Sequence, residues 1–439
     1  MKRVIALALG TALAVTATAS LAQDDGAPPA PAAAAAAPPA APAAGDAPAA
    51  PAATRPNPFL AVPLGDGPWD YQTEKGKIHV EVVTRDLVRP WGMAFLPNGD
   101  MLVTERPGRL RLVSKAGKLD PTPIEGLPPV FAQSIAGLMD IALDPDFAKN
   151  RLIYLTYSKP ATDGTKNTTL AVVRAKWDAG SHQLAEVKDI YVADTWYGEE
   201  PLPKRCCGQG PATGSYGGRL AFDSDGFLFV TSGDRNYGEM VQKTDNVYGK
   251  ILRLNSDGSV PGDNPYVGDK DYLPEIYTIG HRNPLGLTID SDSGEIWESE
   301  FGPHGGDEVN KIQRGKNYGW IDVTQGKHYN DEAAKGVKGV AGMTDPLIVW
   351  LPDSANPGNL VFYHGKRFAG WDGSLFIAMM SKSLIRAEIG GDGEPTGKQE
   401  KLLEDLKQRL RDVRQGPDGN LYVLTDEDKG AMLRITPGK

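Results

Sequence analysis

The stretch Gly218-Arg-Leu-Ala-Phe-Asp-Ser-Asp-Gly-Phe-Leu-Phe-Val-Thr231 places a Ser-Asp-Gly turn between two runs of mainly apolar residues. Asp-Gly between apolar strands is a strong hairpin signal, because the tight turn requires a residue with positive φ. Related strand-turn-strand stretches recur five more times, and repetition of one unit is typical of solenoids and propellers. The further copies begin at Trp91, Gly137, Pro284, Asn359 and Asp412.

The residues around the copies indicate how each unit is completed. Most copies are followed by a strand of alternating basic and apolar residues, such as 109–113, 250–254 and 432–435. This pattern suits the half-exposed outer part of a four-stranded blade. Residues 78–83 precede the first copy and are predicted to form the last strand of the sixth blade, which closes the ring. The sequence therefore predicts an all-β fold, a six-bladed β-propeller of four-stranded blades within residues 57–439, with a two-domain β-sandwich as the alternative.

Two segments precede the predicted propeller. Residues 1–22 begin with a basic pair, continue with an uncharged stretch and end in Ser20-Leu21-Ala22, which predicts a cleaved signal peptide. The apolar run is shorter than the roughly 20 residues of a membrane-spanning helix, so no membrane span is predicted. Residues 23–56 are almost entirely Ala and Pro, which predicts a disordered linker. The expected location of the mature protein is therefore periplasmic or extracellular.

Charge and cysteine content narrow the possible partners. The formal net charge is −9, which argues against nucleic acid as the partner.

The two cysteines, Cys206 and Cys207, are neighbours in the chain. Their Cα atoms must lie about 3.8 Å apart, below the usual disulfide range of roughly 4.4 to 6.8 Å. The sequence is therefore consistent with either a strained vicinal disulfide or two free thiols at these positions.

Basic residues recur at equivalent positions of the repeat. The inner strand of each propeller blade starts beside the central channel, so residues just before these strands converge on one mouth. Arg282 precedes the fourth copy, Arg409 and Arg411 precede the sixth, and Lys382 follows the second strand of the fifth. Because Arg pairs bidentately with carboxylate and phosphate, this cluster predicts an anionic ligand with several such groups.

A glycine-rich segment, Glu300-Phe-Gly-Pro-His-Gly-Gly-Asp-Glu308, is followed by Lys316-Asn-Tyr-Gly-Trp320. Its glycines and proline disfavour a regular strand throughout. The carboxylates of Asp307 and Glu308, with exposed carbonyl groups, suit a hard cation such as calcium. A glycine-rich loop with solvated acids is the alternative.

These motifs resemble the soluble glucose and aldose sugar dehydrogenases, the glucose/sorbosone dehydrogenase family, which use pyrroloquinoline quinone (PQQ) and calcium. The likeness extends from about Arg89 to Ile435. It rests on four strings: Gly-His-Arg-Asn-Pro (280–284), Gly-Pro-His-Gly-Gly-Asp-Glu (302–308), Lys-Asn-Tyr-Gly-Trp (316–320) and Arg-Leu-Arg-Asp-Val (409–413).

The resemblance assigns expected roles to individual residues. One calcium ion would be held by the backbone carbonyls of Gly302 and Pro303, and a further calcium ion by Glu308 and Tyr318. The quinone would be bound by Arg282, Asn283, Lys382, Arg409 and Arg411.

Two positions depart from the family pattern. A His-x-Gly-Gly-Arg-Leu-like stretch supplies the family's catalytic base, but here Ser215 occupies the histidine position in Gly214-Ser-Tyr-Gly-Gly-Arg-Leu220. A serine hydroxyl is not a base near neutral pH without help. Ile135 replaces a glutamine that contacts the quinone in the family. Asp234 matches a family acid near the site, so the candidate catalytic residues are Ser215 and Asp234.

The implied function is a PQQ- and calcium-dependent oxidoreductase that oxidises a sugar or related alcohol in the periplasm and passes electrons to an acceptor there. Two alternatives belong to other classes. One is a catalytically silent propeller that binds a quinone or sugar as a scaffold or sensor. The other is a calcium-dependent lactonase, which would require side-chain ligands converging on an axial metal ion.

We expect deletion of residues 23–56 to leave the melting temperature of the mature protein unchanged. An Ala/Pro-rich segment buries too little apolar surface to offset the entropy of ordering it on the propeller. Calorimetry of the two forms measures this, and a fall of several degrees would show that part of the segment docks.

Overall fold

The strands form six antiparallel sheets, one for each repeat, in a computed structural model that describes residues 62–198, 212–329 and 334–439. The first segments are β1 (Trp69–Thr73) and β2 (Gly76–Leu87). Blade 1 contains β3 (Pro90–Phe95), β4 (Met101–Glu105) and β5 (Arg109–Val113). Blade 2 contains β6 (Leu138–Leu143), the short helix α1 (Phe147–Asn150), β7 (Leu152–Pro160), β8 (Thr168–Asp178) and β9 (Gln183–Val192).

The remaining blades follow the same order from the axis outward. Blade 3 contains β10 (Gly217–Phe222), β11 (Leu228–Ser232), β12 (Lys250–Leu254) and β13 (Ile276–Ile279). Blade 4 contains β14 (Pro284–Ile289), β15 (Ile296–Glu300), β16 (Asp307–Ile312) and β17 (Ile348–Trp350). Blade 5 contains β18 (Pro357–Phe362), β19 (Leu375–Met379), β20 (Ser383–Ile389) and β21 (Pro395–Leu402). Blade 6 contains β22 (Leu410–Gln415), β23 (Leu421–Thr425) and β24 (Gly430–Pro437).

The six-bladed propeller predicted from the repeats is confirmed, and so is the closure of its ring. Strand β2 pairs with β24 from Ile78 opposite Pro437 to Leu87 opposite Gly430, and β1 adds a fifth strand outside it. Blade 1 has three strands, and its outer position is marked by two isolated bridges, from Leu110 to Ile124 and from Val113 to Leu119. Cys206, Cys207 and the predicted signal and linker segments lie outside the described residues.

Each inner strand contains an irregularity in its pairing with the second strand of its blade. The extra residues of a β-bulge bend a strand and redirect its side chains. Here the shift lies near the start of every inner strand, so the side chains around it point towards the axis and the mouth. The shifts fall between Pro90 and Gly92, Leu138 and Ile141, Gly217 and Leu220, Pro284 and Gly286, Pro357 and Leu360, and Leu410 and Asp412.

Hydroxyl side chains on the second strands tie four blades to their successors. Thr104 of blade 1 donates to the carbonyl of Met139, and Thr231 of blade 3 donates to that of Pro284. The same bond joins Thr156 to Gly218 and Ser299 to Gly358. The Thr or Ser near the end of each of these second strands therefore links its blade to the inner strand of the next blade. Blade 5 has Ala378 at the equivalent position.

A buried guanidinium group occupies the axis where the inner strands meet. The Arg219 side chain is fully buried and forms ion pairs with Asp140 at 3.3 Å and Asp412 at 3.1 Å. It also donates to the backbone carbonyls of Leu285 and Arg411, at 2.6 and 3.0 Å. Its guanidinium carbon lies 4.0 Å from the centre of a Trp91 ring. One side chain of blade 3 thus contacts blades 1, 2, 4 and 6.

Apolar side chains fill the spaces between adjacent blades. Both faces of a blade are covered by its neighbours, so the strands near the axis are buried throughout rather than on alternate residues. No helix in the three described ranges is long and apolar enough to cross a membrane.

We expect Arg219→Leu to lower the free energy of unfolding by about 3 to 5 kcal/mol, because it removes one of the two arginines that pair with the buried carboxylates of Asp140 and Asp412. Urea unfolding of the mature protein measures the change. Lys149→Met is the control, since it removes an exposed ion pair with Asp146 and should change stability little. Equal effects of the two substitutions would show that the axial cation is not a stabilising centre.

Candidate functional site at the channel mouth

One end of the channel is formed by the loops that precede the inner strands and those that follow the second strands. The loops before inner strands contain Ser215, Arg282 and Arg409. The loops after second strands contain Asp234 and Lys382. Antiparallel pairing places the start of one strand beside the end of the next, so these loops lie at the same end of the blades. Ile135 lies before β6 at the same end and is 43% exposed.

Glu300 fixes the backbone that carries two of the predicted quinone-binding residues. Its carboxylate accepts the backbone N–H groups of Arg282 and of Asn283, the latter at 3.2 Å. The Asn283 side chain in turn accepts the backbone N–H of Gly217 at 3.2 Å. Arg282 donates to the carbonyl of Phe301 at 3.2 Å, and its Nε atom is buried without a partner among the described residues.

Arg409 and Arg411 share one carboxylate on the opposite side of the mouth. Both guanidinium groups pair with Asp426, at 3.2 and 2.9 Å, and Arg409 also donates to the carbonyl of Met380. These neighbouring cations hold the pKa of the buried Asp426 carboxyl below its usual range, although burial acts the other way. The Nε atom of Arg411 has no partner in the described part of the chain.

A further arginine at this end was not predicted from the sequence. Burial lowers the pKa of Arg106, whose guanidinium lies in the field of Asp426, Arg89 and Arg409. The motif Glu105-Arg-Pro-Gly108 gave no signal because Arg106 follows the second strand of its blade as an isolated charge. Lys382 is half-buried in the equivalent loop of blade 5, with φ 79°.

The two candidate catalytic residues lie together beneath Arg282. The Asp234 carboxylate accepts the indole N–H of Trp320 at 2.8 Å and the backbone N–H of Asn236 at 2.8 Å. Burial raises the pKa of Asp234, and Arg282, these two donors and the Ser215 hydroxyl each oppose that rise. Asp234 is thus a buried carboxyl whose proton affinity is increased by its surroundings, as in many general acids and bases.

Ser215 adopts a backbone conformation that few residues tolerate. Its φ is 48°, in the left-handed region where Asn, Asp and His are the more common side-chain-bearing residues. The Ser215 carbonyl accepts the backbone N–H of Arg235 at 3.0 Å, and its hydroxyl donates to the Asn236 side chain at 3.2 Å. A Cβ atom on Gly233 would lie 2.1 Å from the Ser215 carbonyl oxygen, so glycine is required there. The side chain of residue 215 is buried in this arrangement.

The loop between β15 and β16 carries the predicted calcium-binding carbonyls. Asp307 braces it, accepting the backbone N–H groups of Gly302, Ala355 and Asn356 at 2.5 to 2.8 Å. Asp307 is therefore occupied with backbone donors, and it does not offer the free carboxylate that the motif suggested. The Pro303 carbonyl accepts the hydroxyl groups of Tyr329 and Ser354, at 3.2 and 3.3 Å.

Glu308 and Tyr318 lie together around a small cavity that Arg282, Glu300 and Trp320 also line. Burial and the neighbouring Glu300 raise the pKa of Glu308 well above its usual value. The Tyr318 hydroxyl donates to the carbonyl of Lys311 at 2.6 Å and accepts the backbone N–H of Gln313 at 2.9 Å. Only the backbone carbonyl of Tyr318 is therefore available as a ligand, whereas Glu308 offers its carboxylate.

The donors at the mouth suit a ligand with several carboxylates. Arg282, Arg409 and Arg411 hold guanidinium groups around the opening, and the Nε atoms of Arg282 and Arg411 are buried without a partner among the described residues. The axis below the mouth holds the Arg219 guanidinium group, and in the described ranges no set of metal ligands converges on it. This arrangement favours an anionic cofactor at the mouth over the axial metal ion that a lactonase would need.

Comparison with known proteins identifies the class of this propeller. The family model described as Glucose / Sorbosone dehydrogenase matches residues 87–434, and the chain belongs to this family. Among individual proteins, it is similar to the aldose sugar dehydrogenase YliI of Escherichia coli K12, with 39% identity over 82% of this chain and 93% of that protein.

Two further relatives are named as quinone enzymes. Quinoprotein glucose dehydrogenase B of Acinetobacter calcoaceticus is 27% identical over 79% of this chain and 85% of that protein. The PQQ-bound aldose sugar dehydrogenase of Streptomyces coelicolor has 28% identity and a TM-score of 0.64, covering 82% of this chain and 99% of the solved one. The resemblance inferred from the four sequence strings is thereby confirmed.

Proposed function

We propose that this propeller is a periplasmic, PQQ- and calcium-dependent oxidoreductase that oxidises a sugar or a related alcohol. What supports the proposal is that Arg282, Arg409 and Arg411 all lie at the starts of inner strands, at the same end of the blades, and that the Nε atoms of Arg282 and Arg411 are buried and unpartnered among the described residues. Guanidinium groups gathered at one opening suit an anion with several carboxylates. The names of the similar proteins support a sugar as substrate and PQQ as the anion.

The residues at the mouth divide into binding and proton-handling groups. Arg282, Asn283, Lys382, Arg409 and Arg411 would hold the carboxylates and carbonyls of the quinone. Gly302 and Pro303 would contribute carbonyls to the calcium ion beside it, and Glu308 with the Tyr318 carbonyl would hold a second one. When bound, the quinone supplies an acceptor for the hydride that leaves the alcohol carbon.

Asp234 is the stronger candidate for the proton of the substrate hydroxyl. Ser215 lacks a basic atom, whereas burial raises the proton affinity of Asp234 close beside it. The Trp320 indole holds one oxygen of Asp234 in place. A relay from substrate through the Ser215 hydroxyl to Asp234 would need no movement of either backbone segment. Electrons would then leave for a periplasmic acceptor.

We expect the mature protein to bind PQQ only in the presence of calcium. Arg282→Ala and Arg409→Ala should each weaken binding by about 1.5 to 3 kcal/mol, which corresponds to roughly 10- to 150-fold in Kd. Fluorescence titration with the quinone, with and without a calcium chelator, measures both effects. Arg434→Ala is the control, since Arg434 pairs with Glu81 on the outer strands. Calcium-independent binding, or equal affinity of all variants, would contradict the assignment.

We expect the native protein to oxidise simple aldoses slowly and Ser215→His to raise the rate. A positioned general base contributes about 10²- to 10⁴-fold, and histidine is compatible with the left-handed backbone at residue 215. Because the side chain there is buried against Asn236, the gain should be partial.

The measurement for residue 215 is steady-state oxidation of a panel of aldoses with an artificial electron acceptor. Wild type, Ser215→His and Asp234→Asn are compared after loading with quinone. Asp234→Asn keeps the shape of the side chain and should lower the native rate. Fast native turnover that neither substitution alters would place the base elsewhere.

A further inference from the structure

A buried group of polar side chains lies between blades 3 and 4, behind the channel mouth. His281 belongs to the segment that joins β13 to β14, and Glu298, Glu300 and Asn310 lie on β15 and β16. The side chains of His281, Glu298 and Asn310 are fully buried, and Glu300 is 3% exposed. Glu298 is directly opposite Asn310 in the sheet, so the two share one face with Glu300.

Several atoms of this group have no hydrogen-bond partner. The Nδ1 atom of His281 and the Oε1 atom of Glu298 are both buried and unpartnered in the described part of the chain. The other ring nitrogen of His281 is 2.9 Å from the Thr278 hydroxyl, which fixes the orientation of the imidazole. A histidine that binds a metal ion is oriented in this way, through its second nitrogen.

The spacing of these atoms is that of ligands around a shared ion. His281 Nδ1 lies 3.5 Å from Glu300 Oε1 and 4.0 Å from Glu298 Oε2. Both separations are too long for a good hydrogen bond. Two ligands that each lie about 2.1 Å from one metal ion are roughly 3 to 4 Å apart. Asn310 donates to Glu298 at 3.1 Å and aims it towards the imidazole.

A bound cation would also offset the charge of the group. None of the ion pairs of the described residues gives Glu298 or Glu300 a Lys or Arg partner. Two carboxylates without a counter-charge are costly to bury, and buried carboxylates are normally paired or bound to a metal ion. Within the described part of the chain, Glu300 accepts N–H groups of Arg282, Asn283 and Asn310.

We propose that His281, Glu298 and Glu300 bind a divalent transition-metal ion. An imidazole nitrogen together with carboxylate oxygens suits zinc and its first-row neighbours, whereas calcium and magnesium take oxygen ligands. The site differs in its ligands from the calcium position at Glu308 and the Tyr318 carbonyl. It does not depend on the proposed quinone chemistry.

The bound ion would influence the backbone at the channel mouth through Glu300. One oxygen of this carboxylate faces the imidazole, and the other accepts the backbone N–H groups of Arg282 and Asn283. Glu300 is thus a positioning residue between the metal site and the quinone-binding segment. Removal of the ion should loosen this segment without removing any group that contacts the quinone.

The test uses tag-free mature protein that has been stripped with a chelator and dialysed against Zn²⁺ in excess Ca²⁺. We expect one tightly held zinc ion per chain by mass spectrometry of the metal content, and a higher melting temperature. X-ray absorption at the zinc edge should show imidazole scattering, which only a histidine ligand gives. Glu298→Gln, which preserves size, should weaken zinc binding at least about 10-fold, because it removes one charged ligand.

Glu308→Gln is the matched control, since Glu308 is opposite Glu300 on the same face but is not a ligand of the proposed ion. It should retain zinc. Absence of bound zinc in the wild type, or a shell without nitrogen, would overturn the proposal even if Glu298→Gln does not fold. Equal loss of zinc in Glu308→Gln and Glu298→Gln would also overturn it, because a single site at Glu308 would then explain the binding.

Discussion

The propeller depends on the ion cluster that Arg219 builds at its axis. A ring of blades has no single core, so the inner strands need a common contact where they meet. Arg219 provides it with two carboxylates, two carbonyls and an aromatic ring from four other blades. Arg414 reinforces the cluster, pairing with Asp140 at 2.5 Å and with Asp412 at 3.0 Å. Burial lowers the pKa of Arg219, and the two carboxylates counter that effect.

The geometry of the inner strands also positions the residues at the channel mouth. The pairing shift that turns Arg219 towards the axis recurs in every inner strand, and the residues beside it open onto the mouth. Arg411 shows both roles, because its carbonyl accepts a bond from Arg219 while its side chain pairs with Asp426 at the opening. The proposed cofactor site and the Arg219 ion cluster are therefore neighbouring parts of the same inner strands.

The fold could be predicted because its signals are local. Turn residues and strand-forming runs mark each hairpin, and six hairpins are sufficient to indicate six blades. The details of the site could not be predicted in the same way, because they depend on contacts between blades. The alternation in Trp297-Glu-Ser-Glu300 suggests exposed acids, but both faces of β15 are covered and all four residues are buried. Trp320 and Arg106 likewise belong to the site only through contacts with residues that are distant in sequence.

The pairing of β2 with β24 also bears on when the protein can fold. The ion pair between Glu81 and Arg434 joins positions 353 residues apart, so the ring stays open until nearly the whole chain has been made. Contacts of such long range slow folding. During synthesis, the sixth blade is therefore the last blade that the chain can complete, because one of its strands comes from residues 76–87 and the others from residues 410–437.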